Sequence, residues 1–266
     1  MFWALAAGRI ETGDRRYVHE LSDIETLNRR ALRGELDVTA VSLHAYAYLA
    51  DRYALLAHGA SVGNRYGPRL VAREPAPDDP RGAIAGRRVA VPGELTTACL
   101  ALRLYQPRVE PVVVPFDRIA AEVAAGRVDA GVLIHEGQLT HVAEGLPLWA
   151  DLGAWWHAET GLPLPLGGNV VRRDLGTALM GAIARDLKAS IEYGLAHRQE
   201  ALAHARGFSR GLDEAATDRF VGMYVNEFTI DYGPIGRRAV TELLDRAHRA
   251  GLVPQPPALT FVTAAP

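Results

Sequence analysis

Short apolar runs of strand length alternate along this chain with longer stretches in which an apolar residue returns every third or fourth position. Phe2 to Ile10 carries Ala and Leu at helical spacing and stops at Gly8, which predicts that the chain opens in a helix. His19 to Leu21 predicts a short strand. Ser22-Asp23-Ile24-Glu25 has the Ser-x-x-Glu form of a capping box, opening a helix through Leu32 that ends near Gly34. Leu36 to Ser42 alternates as a brief strand and runs into an Ala/Tyr/Leu-rich helix over residues 43 to 56. Arg69 to Arg73 predicts another strand.

REPAPDDPRGAIAGR then brings Pro, Gly and charge together, the strongest linker signal in the chain. Beyond it Arg88 to Val91 predicts a strand running into Pro92-Gly93, followed by an apolar helix from Ala98 to Tyr105. Val112 to Val114 predicts a buried strand, Phe116 to Ala125 an amphipathic helix, and Val128 to Ile134 a strand ending at His135. Trp149 to Leu166 is rich in Trp, Pro and Gly and has neither period, as expected of a segment that covers or borders something. Gly168 to Arg173 returns to a strand, and Leu179, Ile183, Leu187, Ile191 and Leu195 mark a long helix with Gly207 as its stop. Amphipathic helices around Asp213 to Val225 and Ile235 to Ala250 precede a Pro-rich tail.

This order predicts an α/β protein of two lobes joined by two crossings. Residues 1–75 and 162–266 form one lobe and residues 76–161 the other. Ligands of open α/β sheets gather beyond the carboxyl ends of strands, so the segments after Val41, Val91 and Ile134 should line a cleft between the lobes.

With 266 residues, 48% of them hydrophobic, the chain can bury a substantial core. A formal charge of −2 from interspersed acids and bases, with no basic block, argues against a nucleic-acid partner. No run approaches the ~20 apolar residues that span a bilayer, and no basic segment precedes the apolar start, so a cytoplasmic protein with no membrane partner is expected. The single cysteine, Cys99, fits a reducing compartment.

Three strand ends carry candidate chemistry. Ser42 lies where a strand meets a helix, and its backbone N–H could point into the helix turn and bind a carboxylate; the alternative, which the pattern alone favours, is an ordinary N-cap. Thr96 and Thr97 after Gly93 make the same case and carry the same alternative. His135 is placed to act as a general base, because an imidazole titrates near neutral pH, or it is a polar residue where a strand ends. Glu136 could orient it, yet consecutive residues on an extended strand face opposite sides. His141 and His157 are further candidates for such a base or else surface or loop residues, and Trp155 and Trp156 read either as a stacking platform or as a packed hinge. No metal-ligand spacing, nucleophile elbow or glycine-rich phosphate loop occurs, so no metal and no nucleotide cofactor is expected.

Taken in order and spacing, IETLNRRALRGELDVTAVSLHAY, GPRLVAR, GELTTACLALRL, DAGVLIHEGQLTH, DLGAWWHAETGLPLPLGGNVVRRDL and MYVNEFTIDYG resemble the 1,4-dihydroxy-6-naphthoate synthase family of the futalosine route to menaquinone. The resemblance implies a fold similar to type II periplasmic binding proteins. It also implies cleavage of cyclic dehypoxanthinyl futalosine to 1,4-dihydroxy-6-naphthoate and a three-carbon fragment, without metal or organic cofactor. The family's proton acceptor falls on His135, and its substrate contacts fall on Ala40, Val41 and Ser42 and on Thr97 and Ala98. Members begin with a strand and a Ser-Pro-Cys-Pro-Asn-Asp-Thr-like loop. Met1 stands where that loop ends, so a first lobe without the usual first strand is expected. The rival reading is a non-catalytic small-carboxylate binding protein of the same fold.

Overall fold

A computed structural model describes residues 1–207, 214–256 and 258–264 and arranges their strands in two five-stranded sheets. The chain passes through α1 (Trp3–Ala6), α2 (Ile24–Arg33), β1 (Val38–Ser42), α3 (Leu43–Tyr46), β2 (Tyr53–Leu56) and β3 (Ser61–Gly63). It then crosses into β4 (Arg69–Ala72), α4 (Pro80–Ala83), β5 (Arg88–Val91), α5 (Thr97–Tyr105), β6 (Glu110–Val113), α6 (Ile119–Ala124) and β7 (Ala130–Leu133). After α7 (Gly137–Thr140), β8 (Leu148–Asp151) and α8 (Leu152–Thr160) it returns through β9 (Leu164–Arg172). The rest is helical, α9 (Gly176–Ala196), α10 (Arg198–Arg206), α11 (Glu214–Tyr224), α12 (Glu227–Ile230) and α13 (Gly233–Arg249), before β10 (Phe261–Val262).

In the first sheet the order is β1-β9-β2-β10, with β3 also pairing β9; β9 runs antiparallel to β1, β2 and β3. No residue before Val38 belongs to a strand. In the second sheet the order is β6-β5-β7-β4-β8, with β5 parallel to both β6 and β7. Each sheet is covered on both faces. Helix α9 packs Met180, Ile183, Leu187 and Ile191 on Ala54, Leu56 and Val171, and α6 packs Ile119 and Val123 on Val71 and Ala90. The remaining faces share one continuous core, from Val41, Leu55 and Leu164 through Leu70, Val91 and Leu100 to Trp156 and Leu243. The two lobes therefore close on each other through apolar contact. No helix among the described residues is long and apolar enough to cross a membrane.

Several sequence expectations need correction. The helix expected over residues 43 to 56 is a single turn, and Tyr53–Leu56 is strand β2 between β9 and β10. A strand buried on both faces is an uninterrupted apolar run, which periodicity cannot tell from a buried helix. Strand β4 pairs with β7 and β8, so it belongs to the second sheet. The first crossing thus lies between Gly63 and Arg69, not near Pro75, and the Pro-rich stretch after β4 is a connection inside the second lobe. Residues 149 to 166 are not irregular but hold β8, α8 and the start of β9.

Smaller differences follow local chemistry. Asp23, not Ser22, caps α2, its carboxylate accepting from Thr26 N–H at 3.0 Å, while Gly34 ends the helix at φ 73° as expected. His19 to Leu21 is coil. The long helix stops at Ala196 and resumes as α10, and Asp213, the expected start of the next, lies outside the described residues.

The coil before α2 is tied down by one buried carboxylate. Asp186 of α9 accepts from Arg15 Nε at 2.7 Å, from a second Arg15 nitrogen at 3.1 Å and from Tyr17 Oη at 2.6 Å. Burial, with the Asp186 carboxylate beside it, pushes the Tyr17 phenol well above its ordinary range. Asp186→Ala removes an ionic acceptor with three hydrogen bonds and is expected to cost about 1.5–3 kcal/mol of stability. Urea unfolding reads this as a lower midpoint at unchanged slope; an unchanged midpoint would contradict it.

Candidate functional site

Strands β5 and β7 are parallel neighbours, so the segments after them, which carry Thr97 and His135, emerge on one edge of the second sheet. The crossing into β4 enters at that same edge, because Arg69 pairs with Leu133 and with Asp151. On the first sheet, Ser42 closes β1 opposite Gly167 of β9. These ends meet in the seam between the lobes. The Thr97 hydroxyl donates to the Leu166 carbonyl at 2.5 Å and accepts the His44 N–H at 3.3 Å.

Ser42 is placed differently from expectation. Its backbone N–H is not open to a ligand but donates to Asn28 Oδ1 at 2.9 Å, and its side chain makes no cap bond to α3. Asn28 Nδ2 in turn donates to Ser42 Oγ at 3.2 Å and reaches the Leu95 carbonyl of the other lobe at 3.4 Å. A hydroxyl that accepts from an amide keeps its own hydrogen for another acceptor, so Ser42 offers an O–H donor. The neighbouring Ala40 and Val41 carry β1 up to it, paired with Asn169 and Gly168.

The α5 start offers the complementary kind of donor. Thr96 is the N-cap: its Oγ1 accepts from Cys99 N–H at 3.2 Å and donates to the Gly93 carbonyl at 2.8 Å. Thr97 has its hydroxyl committed, but Thr97 and Ala98 occupy the first helical positions, where backbone N–H groups have no intrahelical acceptor. Both are almost fully buried, at 1% and 4% exposure. Beside them burial lowers the pKa of His44, against the opposing pull of the Thr96 carbonyl 3.3 Å from its Nδ1.

His135 sits just past β7 in the left-handed backbone region, at φ 53°. Such a conformation is costly for a residue with a Cβ and marks a position held by its surroundings. The imidazole meets the Phe116 ring edge-on, 4.9 Å between centroids. The strand has already turned at this point, so Glu136 is the residue before α7 and the alternation argument about its side no longer applies.

Sequence reasoning missed what surrounds this turn. Gln138 on α7 is buried, and the amide orientation that satisfies its neighbours puts its nitrogen 2.8 Å from the Gly67 carbonyl and 2.7 Å from Tyr224 Oη. Its oxygen then lies 3.3 Å from the His135 backbone nitrogen. Burial raises the Tyr224 phenol pKa, keeping it protonated. Arg69 donates to the Gln138 carbonyl at 2.5 Å and to His141 Nε2 at 3.0 Å, while His141 Nδ1 donates to the Leu146 carbonyl at 2.8 Å. His141 is therefore a buried structural residue, not a surface one. Nearby Asp151 caps α8 through Gly153 and Ala154 N–H groups, and burial still raises its pKa. The one signal for these residues was a polar amide, Asn28 or Gln138, at a core-facing position.

The tryptophans belong to the seam as packing. Trp156 is fully buried with Nε1 donating to the Pro163 carbonyl at 3.1 Å, and Trp155 meets Tyr105 edge-on at 5.3 Å. Arg246 lies over the Trp156 ring and Arg81 over Trp155, at 5.3 and 6.0 Å. His157 follows on the same helix, half-buried. Among the described residues no group of three or more His, Cys, Asp or Glu is arranged to hold a metal ion.

Residues 1–249 match the family model described as menaquinone biosynthesis. The chain is 44% identical over 262 residues to a protein of Thermus thermophilus named 1,4-dihydroxy-6-naphtoate synthase, covering 98% of this chain and 94% of that one. It is 39% identical to the protein of the same name in Streptomyces coelicolor, covering 98% and 93%. Among solved structures, a protein of Archaeoglobus fulgidus superposes with a TM-score of 0.89 at 43% identity, over 95% of this chain and 93% of that one. An alkanesulfonate-binding protein of Xanthomonas axonopodis pv. citri shares the fold alone, at a TM-score of 0.60 and 16% identity over 87% and 81% of the two chains.

Proposed function

The chain belongs to the menaquinone biosynthesis family, and from that premise we propose that it cleaves cyclic dehypoxanthinyl futalosine to 1,4-dihydroxy-6-naphthoate in the cytoplasm, as a carbon–carbon lyase with His135 as its base. The observation that carries the site assignment is the left-handed backbone of His135 on the sheet edge it shares with the start of α5. A residue held in that conformation at a strand end has its ring aimed by the fold, not by its own preference.

The chemistry divides among the chain's own groups. An imidazole near neutral pH accepts the proton whose loss starts the fragmentation, while a carbonyl of the substrate takes the electrons. Aromatisation of the naphthoate ring then draws the cleavage forward. The Ser42 O–H and the Thr97 and Ala98 N–H groups form a donor set suited to a carboxylate or to sugar hydroxyls. Closure of the two lobes keeps water from the reacting atoms and strengthens every one of these contacts. Cys99 takes no part; burial pushes its thiol up to about 11, as suits an inert core residue in a reducing compartment.

Ser42→Ala tests the anchoring half of this reading. Loss of one hydrogen bond to a charged group is expected to raise KM about tenfold, with kcat little changed. An unchanged KM would remove Ser42 from the site.

A further inference from the structure

We infer that Gln138 is a positioning residue that holds His135 in its working conformation only when the lobes are closed; the inference rests on the reading of His135 as the base. Three elements converge on this one buried amide. Its oxygen faces the His135 N–H at 3.3 Å, inside the turn whose left-handed backbone aims the imidazole. Its nitrogen faces the carbonyl of Gly67, in the first crossing between the lobes, at 2.8 Å. The same nitrogen reaches Tyr224 Oη, at the end of α11 on the other side of the cleft, at 2.7 Å.

Each neighbour is itself fixed. The Tyr66 hydroxyl, on the crossing, donates to the Met223 carbonyl, and its ring meets Tyr224 edge-on with centroids 5.8 Å apart. Helix α7 does not depend on the Gln138 side chain for its place, because Arg69 grips its backbone and His141. The amide is therefore free to act on the turn rather than on the helix. Gly67 packs on Gly153 of the second lobe and stays with α7, whereas Tyr224 belongs to the first lobe, so when the lobes part the amide loses the Tyr224 hydroxyl that helps orient it and its hold on the left-handed turn weakens. A group misplaced by about 1 Å loses of order 10²-fold in rate, so this coupling reserves the competent base for the closed form.

The test is kinetic and uses Gln138→Met, which keeps the side chain's length and volume, with Gln138→Leu as a second variant should the first fold poorly. Folding is checked by circular dichroism. We expect kcat to fall about 10- to 100-fold while KM stays within about threefold; a purely structural role would leave the kcat of the folded fraction unchanged. In a His135→Asn background the added Gln138→Met should change the residual rate less than about twofold, because the amide acts through the imidazole. Independent losses in the two backgrounds would overturn the inference. If His135→Asn abolishes turnover and Gln138→Met leaves kcat at wild type, this inference alone fails. If His135→Asn keeps wild-type turnover, the base assignment fails and takes this inference with it.

Discussion

His135→Asn is expected to lower kcat by about 10²–10⁴-fold, the range spanned by loss of a positioned general base. Asparagine suits the test because it tolerates the left-handed backbone better than most residues, so the turn at φ 53° keeps its shape. Its amide cannot accept the proton at neutral pH. KM should move little, because the proposed substrate donors lie on Ser42 and the α5 start, and thermal unfolding should be unchanged. Wild-type turnover in a folded His135→Asn protein would remove the residue from the chemistry. An equal rise in KM at constant kcat would recast it as a binding group.

The second large effect is steric. Gly153→Ala would place a Cβ inside the van der Waals radius of the Tyr66 carbonyl and the Gly67 nitrogen, all of them backbone atoms of the first crossing or packed against it. Backbone cannot rotate away as a side chain tip can, so the crossing and the start of α8 must separate. Overpacking of this kind costs about 1–3 kcal/mol, or roughly 2–5 °C in melting temperature for a chain of this size. The same displacement moves Gly67, whose carbonyl receives the Gln138 amide, so kcat should fall beyond the loss of folded protein. Differential scanning calorimetry together with kcat per folded molecule measures both parts. A Gly153→Ala protein with unchanged melting temperature and turnover would show that the close approach of these segments is not needed.

The parts of this molecule legible in its sequence are those set by local pattern. Ser42, Thr97 and His135 stand out because each lies where a strand gives way to a helix, and that geometry needs only neighbours in the chain. Strand β2 was hidden because Tyr53–Leu56 is buried on every side and so shows no alternation. The sheet to which β4 belongs depends on partners near residues 132 and 150, a pairing that no local signal encodes. The residues that prepare the site were hidden for the same reason. Asn28 acts on a carbonyl 67 positions away, and Arg69 acts on His141 72 positions away. Neither contact has a spacing that chemistry alone would require. Ser42 shows the consequence: its position was legible, but which of its groups is left to donate was decided by Asn28, and the expected backbone donor proved to be occupied.

Whether the seam between the lobes is a reaction site or only a binding site is settled most directly by counting products. The purified protein, mixed with a large excess of cyclic dehypoxanthinyl futalosine, should release many equivalents of the 1,4-dihydroxy-6-naphthoate chromophore per chain, and the His135→Asn variant almost none. Substrate retained unchanged, at one equivalent per chain and with no chromophore, would show instead a binding protein built on the same fold.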